Sequence, residues 1–125
     1  MKLTSFFCGV VAIATCCFQH VAIANQDELP AAHVASPEHY EKQLDNEHVL
    51  VLKMTLEPGE SDNWHSHRAE TVYFEKGGSA IIRTESKEMS LDIPDGHVMW
   101  HDAWEHQVTN IGNSSIVAII VEQKR

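Results

Sequence analysis

His65-Ser66-His67 sets two imidazoles two positions apart. In an extended chain such residues point to the same face, so both rings can approach one point. Glu70 follows after Arg68-Ala69, and counting on from it Val72 and Phe74 share its face while Thr71, Tyr73 and Glu75 take the other. The apolar pair marks the inward face and carries Glu70 inward with it. Two neutral imidazoles and a carboxylate suit a divalent transition metal, because imidazole nitrogen is a good donor and the carboxylate offsets charge. A further ligand must come from elsewhere, and His106, in phase with Val108, is the candidate. Glu70 can also be read as a solvated loop acid, with His101 then the ligand in reserve. Alternation sets Val98 and Trp100 against His97, Met99 and His101, which turns those two histidines away from the metal. His33, His39 and His48 read as solvated. Trp64, Trp100 and Trp104 read as core aromatics, with a pocket lining as the alternative.

Short strands must position these side chains. From Tyr40 onward, apolar stretches alternate with turn formers. Val49–Leu56 ends at Glu57-Pro58-Gly59. Residues 71–75, 80–83, 89–93, 98–100, 107–111 and 116–121 read as further strands. Gly77-Gly78, Glu85-Ser86-Lys87, Pro94-Asp95-Gly96 and Gly112-Asn113-Ser114 separate them. Seven to nine strands at this spacing predict an all-β closed barrel or jelly roll. No stretch has sustained helical periodicity, so the crossover helices of a parallel α/β fold are missing. Gly59, Gly77 and Gly96 read as turn residues with unusual backbone angles.

The order Gly59, five residues, His65-Ser66-His67, two residues, Glu70, six residues, Gly77 resembles the first motif of the cupins. Gly96, four residues, His101-Asp102-Ala103, then His106, three residues and Asn110 resembles the second. Two departures stand out. His101-Asp102-Ala103 replaces the usual Pro-x-Gly turn, and the link from His67 to Glu70 is one residue short. The resemblance spans residues 47–121 and is similar to small single-domain cupins, some of them linked to β-alanine degradation. It implies a single-domain cupin β-barrel with His65, His67, Glu70 and His106 around one metal ion, Fe, Mn, Ni, Cu or Zn. Coordination positions would remain open for a small organic substrate or oxygen. Single-domain cupins are usually dimers, and the long apolar strands at Val49–Leu56 and residues 116–121 would leave edges for a second copy to cover.

The first two dozen residues belong to a different kind of segment. Lys2, an apolar run over residues 6–18 and Ala22-Ile23-Ala24 describe a secretory signal peptide over residues 1–24. Thirteen apolar residues fall short of the roughly 20 that span a bilayer. Cys16 after Ile13-Ala14-Thr15 offers a lipoprotein site as the alternative, although Thr15 is bulky for that role. The chain is therefore expected to be exported, periplasmic or secreted, with residues 25–39 a flexible leader and 40–125 the barrel. Within the leader, Ser36-Pro37-Glu38 could open a short helix. All three cysteines fall inside the signal, which leaves the mature chain no disulfide and no thiol chemistry. Its 8 basic and 18 acidic residues argue against nucleic acid and anionic membrane as partners.

These readings leave more than one function class. A metal-dependent enzyme comes first, with oxygenase-type chemistry ahead of a non-redox lyase or isomerase. A non-catalytic module that captures a small molecule or metal outside the cytoplasm comes second. An acidic substrate would need a basic anchor, for which only Arg68 and Arg83 are candidates.

Overall fold

The computed structural model describes residues 28–125, so the expected signal at residues 1–24 lies outside the described residues. A one-turn helix, α1 (Ala32–Ala35), precedes nine strands among the described residues. They are β1 (Tyr40–Asp45), β2 (Val49–Leu56), β3 (His65–His67), β4 (Glu70–Lys76), β5 (Gly78–Arg83), β6 (Glu88–Ile93), β7 (Val98–His101), β8 (Trp104–Asn110) and β9 (Ile116–Gln123). The ladders are antiparallel. They build two sheets, β1-β2-β9-β4-β7 and β3-β8-β5-β6. The all-β jelly roll expected from the turn spacing is the architecture.

Alternation does the work of forming one core. Along β2, Leu50, Leu52, Met54 and Leu56 point inward while Val49, Val51, Lys53 and Thr55 are half-buried on the outer face. From the second sheet, Ala80, Ile82 and Val108 join the same cluster, together with Val72, Ile116 and Ile120 of the first. Leu52, Leu56 and Ile116 are among the fully buried side chains. Each contributes on the order of 1.5–3 kcal/mol relative to exposure. Strand β4 has the phase read from sequence, with Glu70, Val72 and Phe74 buried and Tyr73 exposed.

Strand β7 has the opposite relation of polarity to burial. Val98 and Trp100 are 58% and 51% exposed, whereas Met99 packs against the core and His101 is half-buried. The pairs Val72↔Met99 and Glu70↔His101 in the β4–β7 ladder set this phase. His101 therefore lies on the side of the barrel that holds Glu70, contrary to the alternation argument. Apolar character misleads here because β7 is an edge strand whose outer face carries a valine and a tryptophan.

Other expectations change for local reasons. Ser36 ends a helix instead of starting one: its N–H donates to Ala32 O at 2.9 Å, and Pro37 after it disfavours helical angles. From residue 28 on, the segment read as a flexible leader lies along the barrel. Ser66 N donates to Pro30 O at 2.9 Å, Ser66 Oγ donates to Leu29 O at 2.7 Å, and Ala32 is fully buried. Both hydrogen bonds end on backbone carbonyls of this segment, to which composition is blind. His48 is exposed as expected, but the His39 side chain is only 10% exposed and sits 3.6 Å from both Glu38 and Glu60. Strands β2 and β9 are both internal to their sheet, so they present no edge for a second copy.

Two glycines hold the site's flanks. Gly59 has φ +83° and donates its N–H to Asn110 O at 2.9 Å, which ties the turn after β2 to the end of β8. Gly77 has no positive φ. A Cβ there would lie 1.9 Å from the backbone oxygen of Ile93, so the position needs glycine for close approach and not for its backbone angle.

Candidate metal centre

Cross-strand register brings the histidines together. Strand β3 pairs with β8 so that His65 stands directly opposite His106, and His67 follows two residues on along the same face. Residues directly opposite in an antiparallel pair have adjacent side chains. The ring centroids are 4.5 Å apart for His65–His106, 4.7 Å for His65–His67 and 5.1 Å for His67–His106. All three side chains are buried.

The hydrogen bonds around the rings decide where their lone pairs point. His65 Nδ1 lies 2.7 Å from the carbonyl of Asn63, which can only accept, so the proton is on Nδ1. His67 Nδ1 lies 2.6 Å from Glu122 Oε1 and donates to that carboxylate. The Nε2 atoms of the two rings are left facing each other, 2.9 Å apart. Two lone pairs at that separation repel unless the nitrogens share a proton or a metal ion. Nδ1 of His106 is buried without a hydrogen-bond partner, as is Oε2 of Glu70. Buried polar atoms without a partner are costly, which makes them candidates for a missing ligand.

The expected residues fall into two groups. His65, His67 and His106 offer ligand atoms within 4.8 Å of one another, and so do His67, Glu70 and Glu122. Glu70 is thus drawn to the Nδ1 side of His67, at 3.2 Å, while Trp104 Nε1 donates to its Oε1 at 2.8 Å. Either buried group could hold a metal ion. His101 is in neither; it stacks on Trp104 with ring centroids 3.6 Å apart. Of the three tryptophans, Trp104 lines the inner cavity, while Trp64 and Trp100 are exposed.

Glu122, Asp62 and Tyr40 were not singled out from sequence. Glu122 is buried and stands directly opposite Glu70 in the β4–β9 ladder. A signal for it existed, since Ile116, Ala118, Ile120 and Glu122 share one strand face. Asp62 accepts from Tyr40 OH at 2.7 Å and from Val108 N at 2.7 Å, and Tyr40 OH is also 3.4 Å from His65 Nε2. No strand pattern announces Asp62, which lies in the loop before β3.

Burial sets the electrostatics. Burial first, then the neighbouring His67, pulls His65 down to about 4, and burial holds His106 far below the ordinary histidine range. Both rings are therefore neutral donors at neutral pH. Burial pushes Asp62 up to about 6 against the opposing hydrogen bonds from Tyr40 and Val108, and it raises Glu70 as well. Desolvation, followed by the Asp62 charge, raises Tyr40 well above the usual phenol range. Neutral imidazoles flanked by buried carboxylates make a donor set that fits a divalent cation.

No protein-family model matches the sequence, and no curated protein matches it. Solved structures do match. A cupin domain from Bordetella pertussis Tohama I is similar over 78% of this chain and 98% of its own, with a TM-score of 0.66 and 24% identity. The chain has the cupin fold. An RmlC-like cupin with a double-stranded β-helix fold from Methanocaldococcus jannaschii is similar over 67% of this chain and 77% of its own, with a TM-score of 0.57 and 19% identity. A predicted oxalate decarboxylase from Thermotoga maritima is similar over 67% and 78%, with a TM-score of 0.51 and 24% identity. In this cupin fold the histidines come from one sheet, on β3 and β8, and the carboxylates Glu70 and Glu122 from the other, on β4 and β9.

Proposed function

We propose that this chain is an exported, metal-dependent enzyme acting on a small organic molecule, with oxygenase-type chemistry ahead of lyase or isomerase chemistry. The observation that supports it is the pair of Nε2 atoms of His65 and His67, which face each other 2.9 Å apart with both Nδ1 atoms engaged elsewhere. His65, His67 and His106 would hold the ion, and Glu70 would be a weaker contributor because it lies on the Nδ1 side of His67. A divalent transition metal bound there supplies Lewis-acid or redox chemistry. The chain's own residues supply the rest. Glu122 fixes the His67 tautomer, Trp104 orients Glu70, and the apolar barrel wall keeps bulk water from the histidines.

Elemental analysis of untagged protein tests the reading, followed by oxygen uptake with a panel of small metabolites. Bound iron with substrate-dependent uptake supports the oxygenase. Stoichiometric zinc without turnover returns the lyase, isomerase or binding-module readings, and no metal in the native protein overturns the proposal. Export with cleavage after Ala24 is part of the same proposal, and mass spectrometry of the exported form should find Asn25 first, where a lipidated Cys16 would refute it. A homodimer is proposed on a new basis, the exposed Tyr73, Val98 and Trp100 around edge strand β7. A monomer by light scattering at micromolar concentration would remove it.

A further inference from the structure

The two outer faces of the sandwich differ in kind. On the sheet β3-β8-β5-β6 the outward residues are polar. Ser79 pairs with Asp92 and Arg83 with Glu88, while Ser90 and Thr109 flank the aliphatic Ile81. An antiparallel sheet that meets water on one side has this composition.

The sheet β1-β2-β9-β4-β7 is built otherwise. Its registers set Leu44, Val51, Val121, Thr71 and Trp100 side by side in one outward row across all five strands. The next row on the same face is Glu41, Lys53, Ile119, Tyr73 and Val98. Leu44, Tyr73, Val98 and Trp100 are exposed, and the one helix among the described residues, α1, packs against β1 and β3. Strands ~4.8 Å apart and about eight residues long at ~3.4 Å each give the face a plan area of roughly 500 Å². An apolar patch of that extent is at the upper end for a monomer. Side-chain relief brings it near the ~800 Å² that each partner buries in a standard interface. Tyr73 and Trp100 are of the type that anchors such contacts.

Charge says which occupant fits. The chain has a formal net charge of −9, yet the two rows hold only Glu41 and Lys53, with Glu75 lying 3.7 Å from that lysine. Nucleic acid and anionic membrane would be repelled by the rest of the surface, and a basic partner would find no acid in the middle of this face. A second copy matches it in size and pattern. Strand β9 is the middle strand of five, so a two-fold axis along it lays β2 of each copy over β4 of the other. Lys53 then meets Tyr73 and Glu75 of the second copy, and Leu44 meets Trp100, each contact occurring twice.

We infer that the outer face of the five-stranded sheet docks on the same face of a second copy, sheet on sheet, with β9 at the axis. This rests on the homodimer reading above and deepens it by naming the surface and the packing mode; it is independent of the metal centre.

Sedimentation equilibrium of the purified protein and of folded variants, matched by circular dichroism, tests it. Val51→Lys and Ile119→Lys, on the two internal strands, should each weaken self-association at least ~100-fold, since a buried charge is placed in the contact twice. Ile81→Lys, on the polar face of the other sheet, should leave it unchanged. Should the lysine variants fail to fold, Tyr73→Ser and Trp100→Ser change side chains already exposed in one copy and should also weaken it. A monomeric parent would overturn the inference and the homodimer together. A dimer weakened by Trp100→Ser but not by Val51→Lys or Ile119→Lys would keep the homodimer and overturn the sheet-on-sheet packing in favour of pairing at the edge of β7. A loss in Ile81→Lys equal to that in Ile119→Lys would overturn the choice of face.

Discussion

Glu122 and His67, 55 positions apart, are joined by a 2.6 Å hydrogen bond between buried side chains of opposite sheets. The carboxylate can only accept from Nδ1, so Glu122 chooses the face of the imidazole that is left for an ion. This acid at the end of an apolar strand governs a histidine in the loop-proximal edge strand β3.

Replacing Glu122 should therefore weaken metal binding without removing a histidine. Glu122→Leu is expected to lower affinity ~10–100-fold, the usual cost of losing an outer partner of a ligating histidine. Glu122→Gln keeps an acceptor for Nδ1 and should lose less. Competition with a chromophoric chelator measures both, and equal affinity in Glu122→Leu and the parent protein would refute the tautomer argument.

Loss of any one of the three imidazoles should deplete the ion more than loss of either nearby polar group. His65→Ala, His67→Ala and His106→Ala should each lower metal occupancy sharply, because an incomplete donor set remains. Glu70→Gln should reduce occupancy partially, and His101→Ala should leave it nearly unchanged, since that ring stacks on Trp104 outside both ligand groups. Elemental analysis at matched circular dichroism checks all five. Full occupancy in the His65 and His106 variants would discard the centre.

Tyr40→Phe should destabilise the barrel while leaving the three histidines in place. It removes the 2.7 Å bond to Asp62 Oδ2, whose next partner, His65 Nδ1, is 3.7 Å away. An unsatisfied buried acceptor costs ~1–3 kcal/mol, and the buried Asp62 falls in that class. Urea unfolding of the metal-free protein reads the difference, and an unchanged midpoint would mean that Asp62 finds water in place of the phenol.

The two glycines should respond unequally to one methyl group. At Gly59 a Cβ meets nothing within 4 Å, so Gly59→Ala should cost only the ~1–2 kcal/mol of a left-handed non-glycine residue. At Gly77 the same Cβ lies 1.9 Å from Ile93 O, and the β5–β6 hairpin must give way. Gly77→Ala should fall well below Gly59→Ala in urea midpoint or fail to accumulate in soluble form. Equal midpoints would contradict the close approach.

Much of the fold was legible because half-buried strands print their geometry as alternation. Val49–Leu56 and the Glu70, Val72, Phe74 face follow from period two alone, as does the shared face of His65 and His67. What period two cannot give is which strands become neighbours. The meeting of His65 with His106 depends on the β3–β8 register, and that of Glu70 with Glu122 on the β4–β9 register. Strand β7 shows the other limit. Its short sequence has apolar residues in both phases, and the ladder with β4, not hydrophobicity, decides that Met99 and His101 face inward. Asp62 was hidden for a third reason: a loop residue earns its burial from partners distant in the chain, Tyr40 and Val108.

Strand β3 has three residues and lies at the edge of its sheet, where Leu29 and Pro30 supply the outer hydrogen bonds through Ser66. A mature chain starting at Asn25 would carry just five residues ahead of Pro30. If the chain is exported and cleaved as proposed, protease trimming past that point would free the outer side of the strand that carries two of the three histidines. Uneven processing of the amino terminus would then yield molecules with identical barrels and different grips on their ion.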